Sequence, residues 1–97
     1  MKIIITERIA QDGVDFLKEQ GFEVDCKFGI QRDELLEIVG DYDAIIVRSV
    51  TKVNKELLDK APNMKVVGRA GNGIDNIDVP ECTKRGIIAL NTPESNI

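Results

Sequence analysis

A glycine-rich segment, Gly68-Arg69-Ala70-Gly71-Asn72-Gly73-Ile74-Asp75-Asn76, directly follows the apolar run Met64-Lys65-Val66-Val67. The apolar run predicts a buried strand. Three glycines within six positions predict a sharp turn that exposes consecutive N–H groups, because glycine adopts positive φ without a Cβ clash. Arg69 lies in this segment, and Arg48 ends the preceding apolar strand. Two guanidinium groups and an exposed backbone at neighbouring strand ends predict a binding site for a small anion.

The overall composition is that of one folded domain. The chain has 97 residues, of which 42% are hydrophobic, so we expect a core rather than disorder. A net charge of −4, an aromatic content of 4% and the absence of Trp argue against a nucleic acid or an anionic membrane as partner. No run approaches the ~18–20 apolar residues of a membrane-spanning helix.

Residue types that commonly carry redox or metal chemistry are scarce in this chain. Cys26 and Cys82 have no metal-type spacing, and we expect both to be small buried side chains in a reducing cytosol. The absence of His removes the commonest general base and metal ligand, so we expect no metal site. The first residues have no signal-peptide pattern, and we expect a cytoplasmic protein.

Short apolar runs alternate with helical patterns at intervals of about 20 residues, which predicts βα units and a parallel sheet. The predicted strands are residues 2–6, 22–26, 44–47, 65–68 and 87–90. The predicted helices are residues 10–20, 32–39 and 55–61, a fourth that begins after Asp78, and a further helix opening at 91–94. The predicted N-caps are Asn54 and Asp78, and the predicted helix stops are Gly21, Gly40 and Gly86.

These units predict a flavodoxin-like α/β fold of three layers, with a five-stranded parallel sheet in the order 2-1-3-4-5 and helices on both faces. Four complete helices are too few to cover both faces. We therefore expect either a partly bare face or a helix supplied by residues beyond position 97. Ligands of such sheets bind at the carboxyl ends of the strands, near the switch point. The segments 6–8, 48–51 and 68–73 meet there.

Each motif at this edge also has a structural interpretation. Residues 71–76 imitate the dinucleotide fingerprint G-x-G-x-x-G, but Asn76 stands at the third position and no helix opens directly after it, so a pyrophosphate cradle is not expected. The glycine loop is either a structural turn or a presenter of N–H groups to a carboxylate. Arg48 either pairs with an acid, such as Glu7 or Asp41, or binds the anion.

The side chains of Asp75 and Asn76 are expected to hydrogen-bond within their own loop and to hold its shape.

Three segments resemble the N-terminal part of the D-2-hydroxyacid dehydrogenases. These are Val-Arg-Ser-Val-Thr-Lys-Val at 47–53, Lys-Val-Val-Gly-Arg-Ala-Gly-Asn-Gly-Ile-Asp-Asn-Ile-Asp at 65–78, and Gly86-Ile87 with Asn91-Thr92-Pro93. The similarity extends over essentially the whole chain. The R-S-x-T-K-V element and the R-A-G run favour the branch of the family that acts on 3-phosphoglycerate. That reaction is the first step of the phosphorylated serine pathway.

The resemblance implies a two-domain, NAD-dependent oxidoreductase that is homo-oligomeric at full length. Residues 1–97 would be a fragment of its substrate-binding domain, ending at the hinge to an NAD-binding domain and completed by a C-terminal return segment. In the family, the NAD fingerprint and the catalytic Arg, Glu and His belong to the other domain. The isolated chain is therefore expected to hold no catalytic residue and to be inactive.

Carried over residue by residue, the resemblance implies five substrate-binding residues. Arg48 and Ser49 would bind the phosphate or carboxylate of the substrate, and Arg69 would reach its phosphate. The N–H groups of Asn72 and Gly73 would hold the carboxylate, and Asn72 would also touch the nicotinamide end of NAD. Two alternatives stay open: another member of the family, such as a glyoxylate or hydroxypyruvate reductase, and a non-enzymatic module that binds small anions.

Overall fold

The structure, a computed structural model, describes residues 1–92 of the chain. Its strands are β1 (Lys2–Ile5), β2 (Glu23–Cys26), β3 (Ala44–Val47), β4 (Val66–Ala70) and β5 (Ile88–Thr92). Its helices are α1 (Gln11–Glu19), α2 (Arg32–Ile38), α3 (Lys55–Asp59) and α4 (Val79–Lys84), with a 3₁₀ turn at Val39–Asp41. None of these helices is long and apolar enough to cross a membrane.

The strands form one parallel sheet in the order β2-β1-β3-β4-β5, which confirms the predicted flavodoxin-like topology. The capping signals are also confirmed. The side chain of Asn54 accepts a hydrogen bond from the N–H of Leu57, and that of Asp78 accepts one from Glu81. Gly21 and Gly86 follow their helices with φ of 90° and 73°, as helix-stopping glycines do.

Strand β4 is longer than the sequence predicted. It runs through Arg69 and Ala70, because Arg69 has register partners on both sides, Val47 in β3 and Asn91 in β5. Arg69 is therefore a strand residue and not part of the glycine loop. The predicted helix opening at 91–94 is wrong for Asn91 and Thr92, which belong to β5, and its other two positions lie outside the described residues.

Two further predictions are wrong. Gly40 does not end α2 with a positive φ; it lies in the 3₁₀ turn, where an added Cβ would stand 3.0 Å from the Lys60 carbonyl oxygen. Glycine is present there for close approach of the backbone. Cys26 is exposed, whereas Cys82 is buried as expected. Cys26 is the last residue of β2, which stands at the edge of the sheet that residues 1–92 form.

The helices are divided unequally between the two faces of the sheet. Helices α2, α3 and α4 pack on one face, here called the three-helix face, around buried residues that include Ile45, Leu57 and Val67. Of the helices in residues 1–92, α1 alone packs on the other, the α1 face, where Val14 meets Ile3 and Ile5. One helix cannot span five strands, so the described residues leave this face partly bare.

An apolar groove of about 580 Å³ occupies the bare part of the α1 face. Its floor includes Gly68, and on the neighbouring strand β5 the side chains of Ile88 and Leu90 are 61% and 44% exposed. Its lining includes Ile3, Ile9, Phe16, Ile46, Val66 and Leu90. Helices on both faces are thus confirmed, with one face incompletely covered by residues 1–92.

The openness of this groove predicts that Gly68→Ala raises the free energy of unfolding of the chain by roughly 0.5–1 kcal/mol, the usual cost of glycine within a strand. An added Cβ would meet only Leu90 Cδ1 at 3.7 Å and Ile46 Cγ1 at 3.8 Å, which are ordinary contacts. Urea unfolding measures the change. Gly21→Ala, at φ 90°, is the control and should lower stability instead. A loss of stability in Gly68→Ala would mean that the groove floor is not open.

Candidate functional site

The loops that follow β1, β3 and β4 meet at the carboxyl edge of the sheet. Thr6, at the end of β1, shares a 2.8 Å side-chain hydrogen bond with Thr51 in the loop after β3. Residues 48–51 form that loop, here called the β3 loop, and residues 71–76 form the glycine loop after β4. Thr6 is almost fully buried, so the meeting of the loops is a packed part of the structure.

The carboxylate of Glu7 accepts hydrogen bonds from three backbone N–H groups of the β3 loop. Its Oε2 lies 2.8 Å from the nitrogen of Arg48 and 3.0 Å from that of Thr51, and its Oε1 lies 3.0 Å from that of Val50. A turn of backbone donors around one carboxylate is a nest for an anion. The chain fills this nest with its own side chain.

These contacts change the pKa of Glu7. Burial raises it, but the hydrogen bonds from Thr51, Arg48 and Val50 together outweigh burial and leave the pKa below its ordinary value of 4.5. Glu7 therefore stays ionised at neutral pH. The sequence predicted Glu7 at this edge and as a possible ion-pair partner of Arg48, and the structure joins its carboxylate to the backbone N–H of that residue.

Asn76 binds the carbonyl groups of the same β3 loop from the other side. Its Nδ2 donates to the carbonyl oxygens of Arg48 at 2.5 Å and Thr51 at 2.7 Å. Its Oδ1 accepts from Arg69 Nη1 at 2.7 Å, and the residue is only 6% exposed. The predicted bond of Asn76 within the segment 68–76 is therefore present as its contact with Arg69, but the other end of its amide group bridges to the neighbouring loop.

The guanidinium group of Arg69 is engaged by the glycine loop. Its Nη1 donates to Asp75 Oδ1 at 2.6 Å as well as to Asn76, and its side chain is 12% exposed. The hydrogen bond from Arg69 lowers the pKa of Asp75 below its ordinary value. Arg69 Nε is buried without a hydrogen-bond partner among residues 1–92. Arg69 thus holds the loop in shape, and the phosphate contact predicted for it stays a prediction.

Arg48 is exposed and contacts the segment that follows β1. Its Nη1 donates to the carbonyl oxygen of Arg8 at 3.3 Å, in the segment that leads to Ile9 and the α1 face. Arg69 instead contacts the segment that leads to Ile77, which packs on the three-helix face. Arg48 thus follows β3 and Arg69 lies in β4 at the same edge of the sheet, and their joint binding of one anion stays a prediction.

The glycine loop presents bare backbone to solvent at the same edge. Gly71 and Gly73 have φ of 135° and 88°, and Asn72 and Gly73 are exposed. A Cβ on Gly73 would stand 3.5 Å from Asp75 Oδ1 and 3.8 Å from Arg69 Nη1. Within residues 1–92 the N–H groups of Asn72 and Gly73 have no acceptor. They are available to an oxygen of an anion.

The site therefore contains the predicted residues Arg48, Ser49, Asn72 and Gly73 as exposed groups at one edge. Glu7 and Asn76 also belong to it, and the sequence did not predict that they bind the backbone of the β3 loop. The sequence indicated the role of Glu7 only by an acidic residue directly after the first strand. The donors around its carboxylate are backbone N–H groups, which no residue type marks in a sequence. The described residues contain no cluster of side chains suited to hold a metal ion.

Comparison with known proteins identifies relatives over nearly the whole chain. Residues 3–97 match the family described as D-isomer specific 2-hydroxyacid dehydrogenase, catalytic domain. D-3-phosphoglycerate dehydrogenase of Archaeoglobus fulgidus is 45% identical over 96 residues, which are 99% of this chain and 18% of that protein. The enzyme of the same name from Synechocystis is 44% identical over 98% of this chain and 17% of its own length. The chain thus spans less than a fifth of these relatives.

Solved structures give the same result. The 3-phosphoglycerate dehydrogenase of Entamoeba histolytica, with bound NAD⁺, superimposes with a TM-score of 0.80 and 33% identity, over 96% of this chain and 33% of that one. A glyoxylate/hydroxypyruvate reductase of Sinorhizobium meliloti, with NADP and malonate, superimposes with a TM-score of 0.69 and 27% identity, over 95% and 28%.

The role of Glu7 predicts a specific pH dependence of stability. Because its pKa is lower in the folded state, its contribution is complete above pH 4.5 and is lost as the pH falls through the folded-state pKa. At neutral pH, Glu7→Gln should lower the free energy of unfolding by about 1 kcal/mol, a low value because the carboxylate is partly exposed. The deficit should shrink in acid.

Urea unfolding of wild type and variant at neutral pH and at about pH 3 measures this difference. Other carboxylates with lowered pKa values, such as Asp43 and Asp59, titrate equally in both proteins and cancel. The exposed Glu37→Gln on α2 is the control and should be neutral. A Glu7→Gln deficit that is the same at both pH values would contradict the assigned role.

Proposed function

The chain belongs to the D-isomer specific 2-hydroxyacid dehydrogenase family, and we propose that it forms most of the substrate-binding domain of an NAD-dependent D-3-phosphoglycerate dehydrogenase. Such an enzyme oxidises 3-phosphoglycerate to 3-phosphohydroxypyruvate, the first step of serine biosynthesis. The observation that carries the proposal is the pair of acceptor-free N–H groups at Asn72 and Gly73, in an exposed loop at the carboxyl edge that also bears Arg48.

The proposed division of labour follows from what each group can offer. The N–H groups of Asn72 and Gly73 bind the substrate carboxylate and so orient the neighbouring C2 atom. Arg48 and Ser49 bind the phosphate, a dianion that suits a guanidinium group and a hydroxyl. Arg69 enters as a residue that shapes the glycine loop, since its Nη1 already binds Asp75 and Asn76.

The glycine loop of this chain does not suit the pyrophosphate of NAD. The third position of the imitated fingerprint holds the buried Asn76, and α4 begins only at Val79. Asn72 is the residue that would touch the nicotinamide end, and the remaining contacts belong to another domain. NAD, when bound, accepts the hydride from C2. The task of this chain is to hold C2 in position, which is the main contribution of the protein in hydride transfer.

The bare part of the α1 face is consistent with a domain whose remaining part comes from residues outside 1–92. We propose that a return segment of the same protein covers the groove next to Leu90, and that the NAD-binding domain is inserted after Asn91-Thr92-Pro93. Exposed apolar patches of this kind usually mark an interface. The full-length enzyme is proposed to be a homo-oligomer and cytoplasmic, as expected for the branch.

Binding of 3-phosphoglycerate to the chain tests the assignment. Wild type should bind weakly, and Arg48→Gln should weaken binding about tenfold or more, because a charge-assisted hydrogen bond to phosphate is lost. Lys18→Gln, an exposed cation on α1, is the matched control and should bind like wild type. Titration followed by amide NMR shifts measures both, with shifts expected at Asn72 and Gly73.

The same titration with glyoxylate and hydroxypyruvate distinguishes the branches of the family. Preference for either over 3-phosphoglycerate would contradict the proposed substrate. The isolated chain should not reduce NAD with 3-phosphoglycerate, and measurable turnover would overturn the proposed division between two domains.

The bare groove predicts that the chain self-associates at high concentration when nothing covers it. Leu90→Ser should weaken the association, because it removes an exposed apolar group from the groove. Val50→Ser removes an equally apolar, 77% exposed group from the β3 loop and should leave the association unchanged. Sedimentation velocity over a concentration series provides the measurement. A wild-type chain that stays monomeric throughout would contradict the prediction.

A further inference from the structure

The β3 loop is held by two side chains that divide its backbone groups between them. Glu7 accepts from the N–H groups of Arg48, Val50 and Thr51. Asn76 donates to the carbonyl groups of Arg48 and Thr51. Arg48 and Thr51 are therefore fixed at both their N–H and their carbonyl groups. The backbone N–H and carbonyl groups of this loop are thus paired by side chains, whereas those of a strand are paired by the neighbouring strands.

Of the two side chains that hold the β3 loop, Asn76 is the one that belongs to the glycine loop. Its amide group uses both ends: Oδ1 accepts from Arg69 Nη1, while Nδ2 donates to the β3 loop. At 6% exposure it has little access to water as a substitute partner. Loss of its donors would leave two carbonyl groups unpaired in a packed position, which is costly.

We propose that Asn76 is a positioning residue that couples the glycine loop to the β3 loop, so that the groups offered by Asn72, Gly73, Arg48 and Ser49 are presented to the anion as one preorganised unit. Preorganisation lowers the entropy cost of binding a small, highly charged ligand. The coupling follows from the geometry alone. Its effect on ligand affinity rests on the proposed function.

Asn76→Asp is the sharpest variant. The carboxylate has nearly the shape of the amide and still accepts from Arg69, but it cannot donate to the carbonyl groups of Arg48 and Thr51. Asn63→Asp is the matched control. Asn63 Nδ2 donates to the Gly40 carbonyl oxygen at 3.0 Å, so it bridges the segments that lead into the same two strands at the opposite edge of the sheet.

The first readout is amide hydrogen exchange at Val50 and Thr51, which needs no ligand. Asn76→Asp should speed exchange at both amides about tenfold relative to wild type, the loss expected for a broken buried hydrogen bond, after correction for global stability from urea unfolding. Asn63→Asp should leave these two amides unchanged. Should Asn76→Asp fail to fold, Asn76→Ser, which keeps one donor, is measured in the same way and should give a smaller increase.

The second readout is the affinity for 3-phosphoglycerate, which should fall about tenfold in Asn76→Asp and not in Asn63→Asp. Unchanged exchange at Val50 and Thr51, or an equal increase in the Asn63 control, would overturn the coupling even if wild type binds the ligand. Faster exchange in a protein whose wild type does not bind 3-phosphoglycerate would uphold the coupling and contradict the proposed function. Faster exchange with unchanged affinity would refute the preorganisation step.

Discussion

The polar backbone of the loop after β3 is the constraint on which the edge of this sheet depends. Parallel strands end side by side, so each loop leaves N–H and carbonyl groups that the ladder no longer pairs. Here the N–H groups meet Glu7 from the loop after β1, and the carbonyl groups meet Asn76 from the loop after β4. These hydrogen bonds join the loops after β1, β3 and β4, and they thereby fix the positions of the exposed residues in those loops.

The electrostatics of the edge follow from this arrangement. Two cations lie at neighbouring strand ends, but the carboxylates of Glu7 and Asp75 stand beside them and have lowered pKa values. Under the proposed function, an anion is bound by Arg48 and by the N–H groups of the glycine loop, and not by an excess of positive charge. A protein with a net charge of −4 is suited to such local recognition.

The sequence predicted the strands, their order and the helix caps well, because β-branched runs, Asn54 and Asp78 act through local or strongly patterned physics. It failed where contacts between residues distant in sequence determine the local structure. Arg69 became a strand residue because β5 extends alongside it, and Gly40 is needed for the approach of Lys60 rather than for a helix stop. The roles of Glu7 and Asn76 were hidden because their partners are backbone atoms of another loop, which no side-chain pattern reveals.

The unequal burial of the two thiols has a practical consequence. Cys82 is fully enclosed on the three-helix face, and burial raises the pKa of its thiol, so little thiolate forms there. Cys26 is exposed at the carboxyl end of β2, the same edge at which the loops gather. A maleimide dye would therefore attach at Cys26 without mutagenesis. Its fluorescence could then report the binding of a ligand at this edge.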